Sequence, residues 1–381
     1  MRESNKIKEL QALKLPSPCF VLEEDLLVSN LKLLQYVQQS ADVKIICALK
    51  GFSMYSTFPL VKEYLAGATA SSLNEAKLVY EEMGVLPYTY CPAIIPSEID
   101  QLLDISGHIV FNSINEYYRY HSAAMAKGVS MGLRVNPQYS EIKTELYNPA
   151  NPTSRLGAAL SDIGNQLPEG LEGLHFHVLC ENNSYALENV LKVFSEKFDH
   201  LIRQCKWINM GGGHFITHKD YDVEHLIGVL KAFKTKYDVE VILEPGSAVG
   251  LNTGYLVSTV LDIVDHGGVK TAILDSSFTC HMVDTLEMPY KPHILGESAQ
   301  GDHHYRMGGL SCLAGDYVEG FRFNEALLVG QQLYFADMIH YTMVKTNTFN
   351  GVNLPSIGIW RQNGDFELLK SFGYEDFKSR L

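Results

Sequence analysis

The sequence predicts an α/β protein, a TIM-like (β/α)8 barrel with a second, mainly β domain. Three observations lead there. The 381 residues exceed the usual size of one compact domain. Strand-like and helix-like segments alternate up to about residue 255. Beyond that point the texture turns to glycine-punctuated β segments.

After the turn-forming Pro16-Ser17-Pro18, CFVLEED reads as a short strand, and the leucine-rich LLVSNLKLLQYVQQ has helical spacing. Eight strand candidates follow: KIICALK, GATASS, YTYCPA, GHIVFNS, SMGLRVNP, GLHFHV, WINMGG and EVILEPG. Helical stretches such as LNEAKLVYEEM, SINEYYRYHSAAMAKG and NSYALENVLKVFSEKFDHLIRQ separate them, which is the rhythm of a βα barrel. YLVSTVLDIVDHGG, KTAILDSSF, RMGGLSCLAGD, ALLVGQQLYFADM and SIGIWRQNGDFELL make up the β-rich remainder. The expected division is a segment over residues 1–29 that lends its strand to the β domain, a barrel over 30–255, and a mainly β domain over 256–381.

The balance of 31 basic against 44 acidic residues gives a formal charge of −13. That charge repels phosphate backbones and anionic membranes and favours cationic ligands at long range, and it is also an ordinary solubility setting. Nucleic acid and membrane are therefore not expected as partners. Seven cysteines, odd in number and free of any CxxC pair, argue against a disulfide framework or zinc site. The first residues carry charges throughout with no apolar signal core, and no uninterrupted apolar run reaches membrane-spanning length, so a cytoplasmic location is expected.

Lys50 closes the apolar stretch KIICAL, where a strand leaving a core places an amine over a pocket. A lysine in partly apolar surroundings loses solvation of its charged form, and the neutral amine can attack an aldehyde to give a Schiff base. Glu244 ends another apolar strand in EVILEPGS, beside Pro245 and Gly246. A carboxylate there can hold a protonated pyridine nitrogen and keep the ring an electron sink, or it can be a solvated surface acid. Gly211-Gly212-Gly213-His214 follows the strand-like WINM, so its backbone N–H groups suit a phosphate, or simply a turn. It lacks the third glycine of a dinucleotide fingerprint, Ile216 standing in that place.

His175 and His177 alternate on one strand face, where either could lie against an aromatic cofactor, bind a metal or pack structurally. No clustered carboxylate or cysteine completes a metal set. Cys312 and Asp316, in the glycine-rich GGLSCLAGD, present a thiol and a carboxylate to an open pocket or serve as packing. Tyr341 fills a core gap or reaches a phosphate with its hydroxyl.

Taken in order, PSPCFVLEEDLL, CALKGF, SRLG, GLHFHV, INMGGGH, LEPGS, GGLSCLAGD and HYTMV resemble the fold-type III pyridoxal-phosphate decarboxylases. The match spans nearly the whole chain, and the nearest branch resembles the carboxynorspermidine/carboxyspermidine decarboxylases, through CALKGF, LEPGSAVG and GLSCLAGD. The resemblance implies an alanine racemase-like barrel holding pyridoxal 5'-phosphate. Lys50 would be the Schiff-base lysine, His177 the residue stacked on the ring and Glu244 the partner of its nitrogen. Gly211, Gly212, Gly213, Gly246 and Tyr341 would serve the rest of the cofactor. Cys312 would come from a neighbouring subunit to protonate the Cα carbanion, which implies a homodimer with shared sites.

Two departures bear on substrate choice. Ser247 replaces the arginine that usually follows Glu-Pro-Gly in diaminopimelate and ornithine decarboxylases, and Leu313 replaces the usual acid after the cysteine. A cationic carboxylated polyamine needs acidic or polar contacts at its separated amines. Asp275, Asp284 and Asp316 are the candidates, together with Cys312. The expected reaction is decarboxylation of carboxynorspermidine or carboxyspermidine to norspermidine or spermidine. The competing readings are a diaminopimelate decarboxylase, a non-catalytic pyridoxal-phosphate carrier and an amino-acid racemase.

Overall fold

The computed structural model describes residues 2–381. They form two compact units, Asn30–Val249 and a second made of the chain up to Ser29 together with Gly250–Leu381. The division falls after Val249 rather than near residue 255, because the strand beginning at Gly254 pairs wholly within the second unit.

Strand β1 (Cys19–Glu23) lies before the first unit, which is a closed barrel of eight parallel strands. These are β2 (Lys44–Ala48), β3 (Gly67–Ala70), β4 (Tyr88–Tyr90), β5 (His108–Phe111), β6 (Ser130–Arg134), β7 (Leu171–His175), β8 (Trp207–Asn209) and β9 (Glu240–Leu243). Lys44 opposite Ile242 and Ile45 opposite Leu243 close the ring. Strands covered on both faces read as continuous apolar runs, and for that reason all eight are visible in the sequence.

The floor of the barrel is built around one large side chain. Trp207 packs with Ile46, Tyr88, Val110 and Ile242, and its indole N–H donates to Ser130 Oγ at 3.0 Å. Room for it exists because β6 and β7 offer Gly132 and Gly173 on the facing positions. A Cβ at either would lie 2.2 Å and 2.1 Å from the indole, respectively.

The second unit is an eight-stranded sheet. It contains β1 and then β10 (Gly254–His266), β11 (Val269–Leu274), β12 (His303–Gly308), β13 (Tyr317–Phe323), β14 (Gln332–Ala336), β15 (Ser356–Trp360) and β16 (Phe366–Lys370). The order is β13-β12-β11-β10-β1-β15-β16, with β14 also on β10. Strand β10 is long enough for two sets of neighbours. Its first half pairs with β1 and β14 and its second half with β11, the change falling at an irregularity between Val260 and Asp262.

The early strand CFVLE joins this sheet, antiparallel to β10 and parallel to β15. A helix over Arg2–Ala12, which the charged composition hid, covers it. Leu10 is fully buried with Leu15, Val21, Tyr255 and Tyr334, and Lys6 reaches Glu23 at 2.9 Å.

Candidate active site

The C-terminal ends of β2 and β9 are adjacent, and the backbone there is packed too closely for side chains. The Ala48 N–H donates to the Pro245 carbonyl at 3.1 Å, and a Cβ on Gly51 would meet Gly246 Cα at 2.8 Å. This contact brings the turn bearing Lys50 against the turn bearing Glu244, at the barrel end where βα loops build sites. Burial holds the Lys50 amine below the ordinary lysine range, Glu244 opposes that shift, and the Arg134 guanidinium adds to it.

Glu244 is 5% exposed. Burial pushes its carboxyl above the usual carboxylate range, while Lys50 and a hydrogen bond from Asn209 pull it back. That bond runs from Asn209 Nδ2 to Glu244 Oε1 at 2.7 Å. The other carboxylate oxygen lies 3.8 Å from His175 Nε2. His175 points into the barrel with both ring nitrogens buried and without hydrogen-bond partners among the described residues. Burial, with Arg134 and Lys50 adding to it, keeps the His175 pKa well below its usual value, so the ring is neutral.

The glycine loop is less open than its sequence suggests. The Gly211 N–H donates to Asn209 Oδ1 at 2.9 Å and the Gly212 N–H to His177 Nδ1 at 2.8 Å. Only the Gly213 N–H of the three lacks a partner among the described residues. Gly211 and Gly213 have φ of +67° and +83°, and a Cβ at Gly213 would meet the Leu179 carbonyl oxygen at 2.1 Å. The bond from Gly212 fixes His177 as the tautomer with its proton on Nε2. Burial, then the Lys50 and Arg134 charges, hold that ring neutral.

Arg134, Asn209 and His175 stand beside these candidates, and sequence reasoning passed over the first two and left the third undecided. Arg134 ends β6, is 5% exposed, donates to the His177 carbonyl at 3.3 Å and stands 4.8 Å from the Tyr90 ring. Its signal was a lone arginine closing an apolar strand. Asn209, 1% exposed, stands two residues before the glycines.

The remaining candidates belong to the sheet unit. Cys312 is exposed in the loop Gly309–Asp316, and its N–H donates to Asn350 Oδ1 at 2.7 Å. Asp316 engages both oxygens within its own chain. It accepts from Ser277 Oγ, the Thr279 N–H, and both the N–H and Oγ of Ser311. Asp275 likewise accepts from Ser17 Oγ, Ser258 Oγ and the Thr259 N–H. Asp284 differs. Its Oδ2 accepts from Tyr290 and Thr342, each at 2.8 Å, but its Oδ1 is buried with no partner among the described residues. Tyr341 opens the short helix Tyr341–Val344 and is half-buried.

Burial also sets an acid limit on the fold. His214 and His281 are buried, and each is pushed down to about 4 from 6.5. Below pH 6.5 the unfolded chain therefore binds protons that the folded one refuses, down to about pH 4. The stability is present above that window and lost as pH falls through it, by as much as about 1.4 kcal/mol per pH unit for each histidine. Thermal midpoints should hold nearly level from pH 7.5 to 6.5 and then fall steadily as the pH is lowered to 5. A flat profile would contradict this account.

Among the described residues no group of His, Cys, Asp and Glu gathers to hold a metal, and no helix is long and apolar enough to cross a membrane. A βα barrel with an amine and a carboxylate buried at its C-terminal mouth, on a chain that also forms a mainly β sheet, has the architecture of the fold-type III decarboxylases.

Comparison with known proteins identifies the family. The family described as "Pyridoxal-dependent decarboxylase, C-terminal sheet domain" matches residues 21–339. A carboxyaminopropylagmatine decarboxylase from Synechocystis sp. is 45% identical over 370 residues, covering 96% of each chain. A carboxynorspermidine/carboxyspermidine decarboxylase from Campylobacter jejuni is 42% identical over 380 residues, covering 96% of this chain and 99% of the relative. A crystal structure of carboxynorspermidine decarboxylase complexed with norspermidine, from Campylobacter jejuni, superposes with a TM-score of 0.90 at 40% identity, covering 96% of this chain and 100% of that one. The chain belongs to the pyridoxal-dependent decarboxylase family and is a carboxy-lyase of that family.

Proposed function

We propose that this chain decarboxylates the amino-acid end of a carboxylated polyamine, carboxynorspermidine or carboxyspermidine, using pyridoxal 5'-phosphate held at the barrel mouth. The observation that carries the chemistry is the pairing of Lys50 and Glu244 in one buried neighbourhood, in a member of this family. The names of the similar enzymes carry the substrate class.

The residues present fit the cofactor. A buried carboxylate held by Asn209 and Thr69, an amine of depressed pKa, a neutral imidazole and a Gly213 N–H unengaged among the described residues are what a pyridine nitrogen, an aldehyde, an aromatic face and a phosphate require. When bound, the ring supplies a sink for the electron pair left as carbon dioxide departs. Lys50 would hold the aldehyde through its neutral amine, and Glu244 would hold the proton on the ring nitrogen. His177, positioned by Gly212 at its Nδ1, would hold the face of the ring. Gly211 and Gly212 would shape the phosphate loop and Gly213 would donate to it, and Gly246 and Tyr341 are each further candidates for holding the cofactor.

Cys312, contributed by a second copy in a homodimer, delivers a proton to the substrate Cα. Its exposed loop, buttressed from within by Asp316, supports that role. Of the three acids considered for the substrate amines, Asp284 is carried forward. Asp275 and Asp316 are engaged by their own chain, whereas Asp284 Oδ1 is a buried acceptor lacking a donor among the described residues, which is costly unless a ligand supplies one.

A second reading concerns the far end of the substrate. The Synechocystis relative acts, by its name, on carboxyaminopropylagmatine, which ends in a guanidinium rather than an ammonium. Steady-state carbon dioxide release from carboxynorspermidine, carboxyspermidine, carboxyaminopropylagmatine and diaminopimelate tests both readings. The expected result is turnover of a carboxylated polyamine and none of diaminopimelate. Release from diaminopimelate alone would overturn the proposal, and a preference for the guanidino substrate would select the second reading.

A further inference from the structure

We propose that Asn209 is a positioning residue that holds Glu244 as a hydrogen-bond acceptor aimed into the barrel and ties it to the glycine loop. This rests on the reading of Glu244 as the partner of a pyridine nitrogen.

Asn209 ends β8, opposite Ile242 on β9, and is almost wholly buried. Its carboxamide has one arrangement open to it. Oδ1 accepts the Gly211 N–H at 2.9 Å, so Nδ2 must face Glu244, where it donates to Oε1 at 2.7 Å. Turning the amide over would set donor against donor at Gly211 and acceptor against acceptor at Glu244. Gly211 is linked to the acid directly as well as through Asn209, since its carbonyl accepts the Glu244 N–H at 2.7 Å. The acid and the loop therefore hold each other in place.

The consequence is chemical as well as geometric. Burial drives the Glu244 carboxyl toward its protonated form. A protonated carboxyl presents a donor, and so does a pyridinium. A permanent N–H donor at Oε1 favours the ionised form, as does the hydrogen bond with the Thr69 side chain, so that the second oxygen is an acceptor. His175 stands 3.8 Å from that oxygen and, being neutral, does not compete with a cationic ring nitrogen.

The plain alternative is that Asn209 only shapes the turn, since its bond to the Gly211 N–H is an Asx-type turn that an aspartate forms equally well. Asn209→Asp separates the two roles. It keeps the shape and the acceptor for Gly211 but replaces the donor at Glu244 by another acceptor, and two carboxylates at that distance cannot both stay ionised.

The test measures binding by the apoprotein of pyridoxal 5'-phosphate and of its 1-deaza analogue, in which the ring nitrogen is a C–H. Absorbance titration gives both affinities. The wild-type protein should prefer pyridoxal 5'-phosphate by at least about tenfold. Asn209→Asp should reduce that preference to within about twofold by weakening only the nitrogen-containing ligand. Asn209→Ala, a second variant should the first not fold, should also abolish the preference. If both ligands weaken together, or neither does, so that the preference survives, Asn209 is a turn residue and the proposal fails. Glu244→Gln serves as the separate control. Should that variant keep the preference, the reading of Glu244 itself falls, whatever Asn209 does.

Discussion

Lys50→Ala is expected to leave a folded protein whose carbon dioxide release is slower by on the order of 10⁴-fold or more. Lys50 stands on the turn after β2 rather than within it, so its replacement leaves the strand pairing of the barrel in place. Its loss instead takes away the amine that binds the aldehyde, and it strands Glu244 without the cationic neighbour that partly offsets its burial. Borohydride trapping followed by peptide mapping should label Lys50 in the wild-type protein and nothing at that position in the variant. Label on a different lysine, or activity within about tenfold of wild type, would remove the basis of the proposed mechanism.

The same lysine carries a pH expectation. Because burial depresses its pKa, the neutral amine is available below the ordinary value of 10.5. Capture of the aldehyde by apoprotein should strengthen as pH rises through that depressed value and then level off, before a free lysine would have titrated. A midpoint at the ordinary lysine value would show that the site is solvated.

Particular elements explain how much of this could be read from the sequence. The eight barrel strands were legible because burial on both faces writes itself as short apolar runs such as IICAL and VILE. The N-terminal helix was not, because its buried side chain Leu10 is set among charged neighbours and its partners Tyr255 and Tyr334 are distant in the chain. Lys50 and Glu244 stood out as strand-end residues of suitable chemistry, whereas the choice of His177 over His175 came only from the family resemblance. What each one bonds to was not legible. The glycine triplet looked like an open row of N–H donors, yet two of the three are engaged by Asn209 and by His177, the latter brought in by the neighbouring strand β7. Asp275 and Asp316 are equally plausible ligands in one dimension, and only the folded chain shows that serines and backbone N–H groups already surround them.

The second large effect lies at the other end of the barrel. Trp207→Ala should destabilise the protein by about 3–5 kcal/mol, the range for deleting a large buried aromatic. Trp207 and Asn209 are alternate residues of β8, so both face inward in successive layers. One closes the floor and the other supports Glu244 at the mouth. The indole fits only because Gly132 and Gly173 leave space for it, and Gly173→Ala alone should also destabilise, since the added Cβ would lie 2.1 Å from the ring. The two changes together should cost less than their sum, because the smaller side chain at 207 makes room for the methyl group, with a coupling of roughly 0.5–3 kcal/mol. Urea unfolding of the two single variants and the double variant measures that coupling. Strict additivity would show that the glycines are not there to admit the tryptophan. Because the floor lies away from Lys50, each variant should keep its kcat per folded molecule, so that lost activity follows lost folded protein rather than altered chemistry.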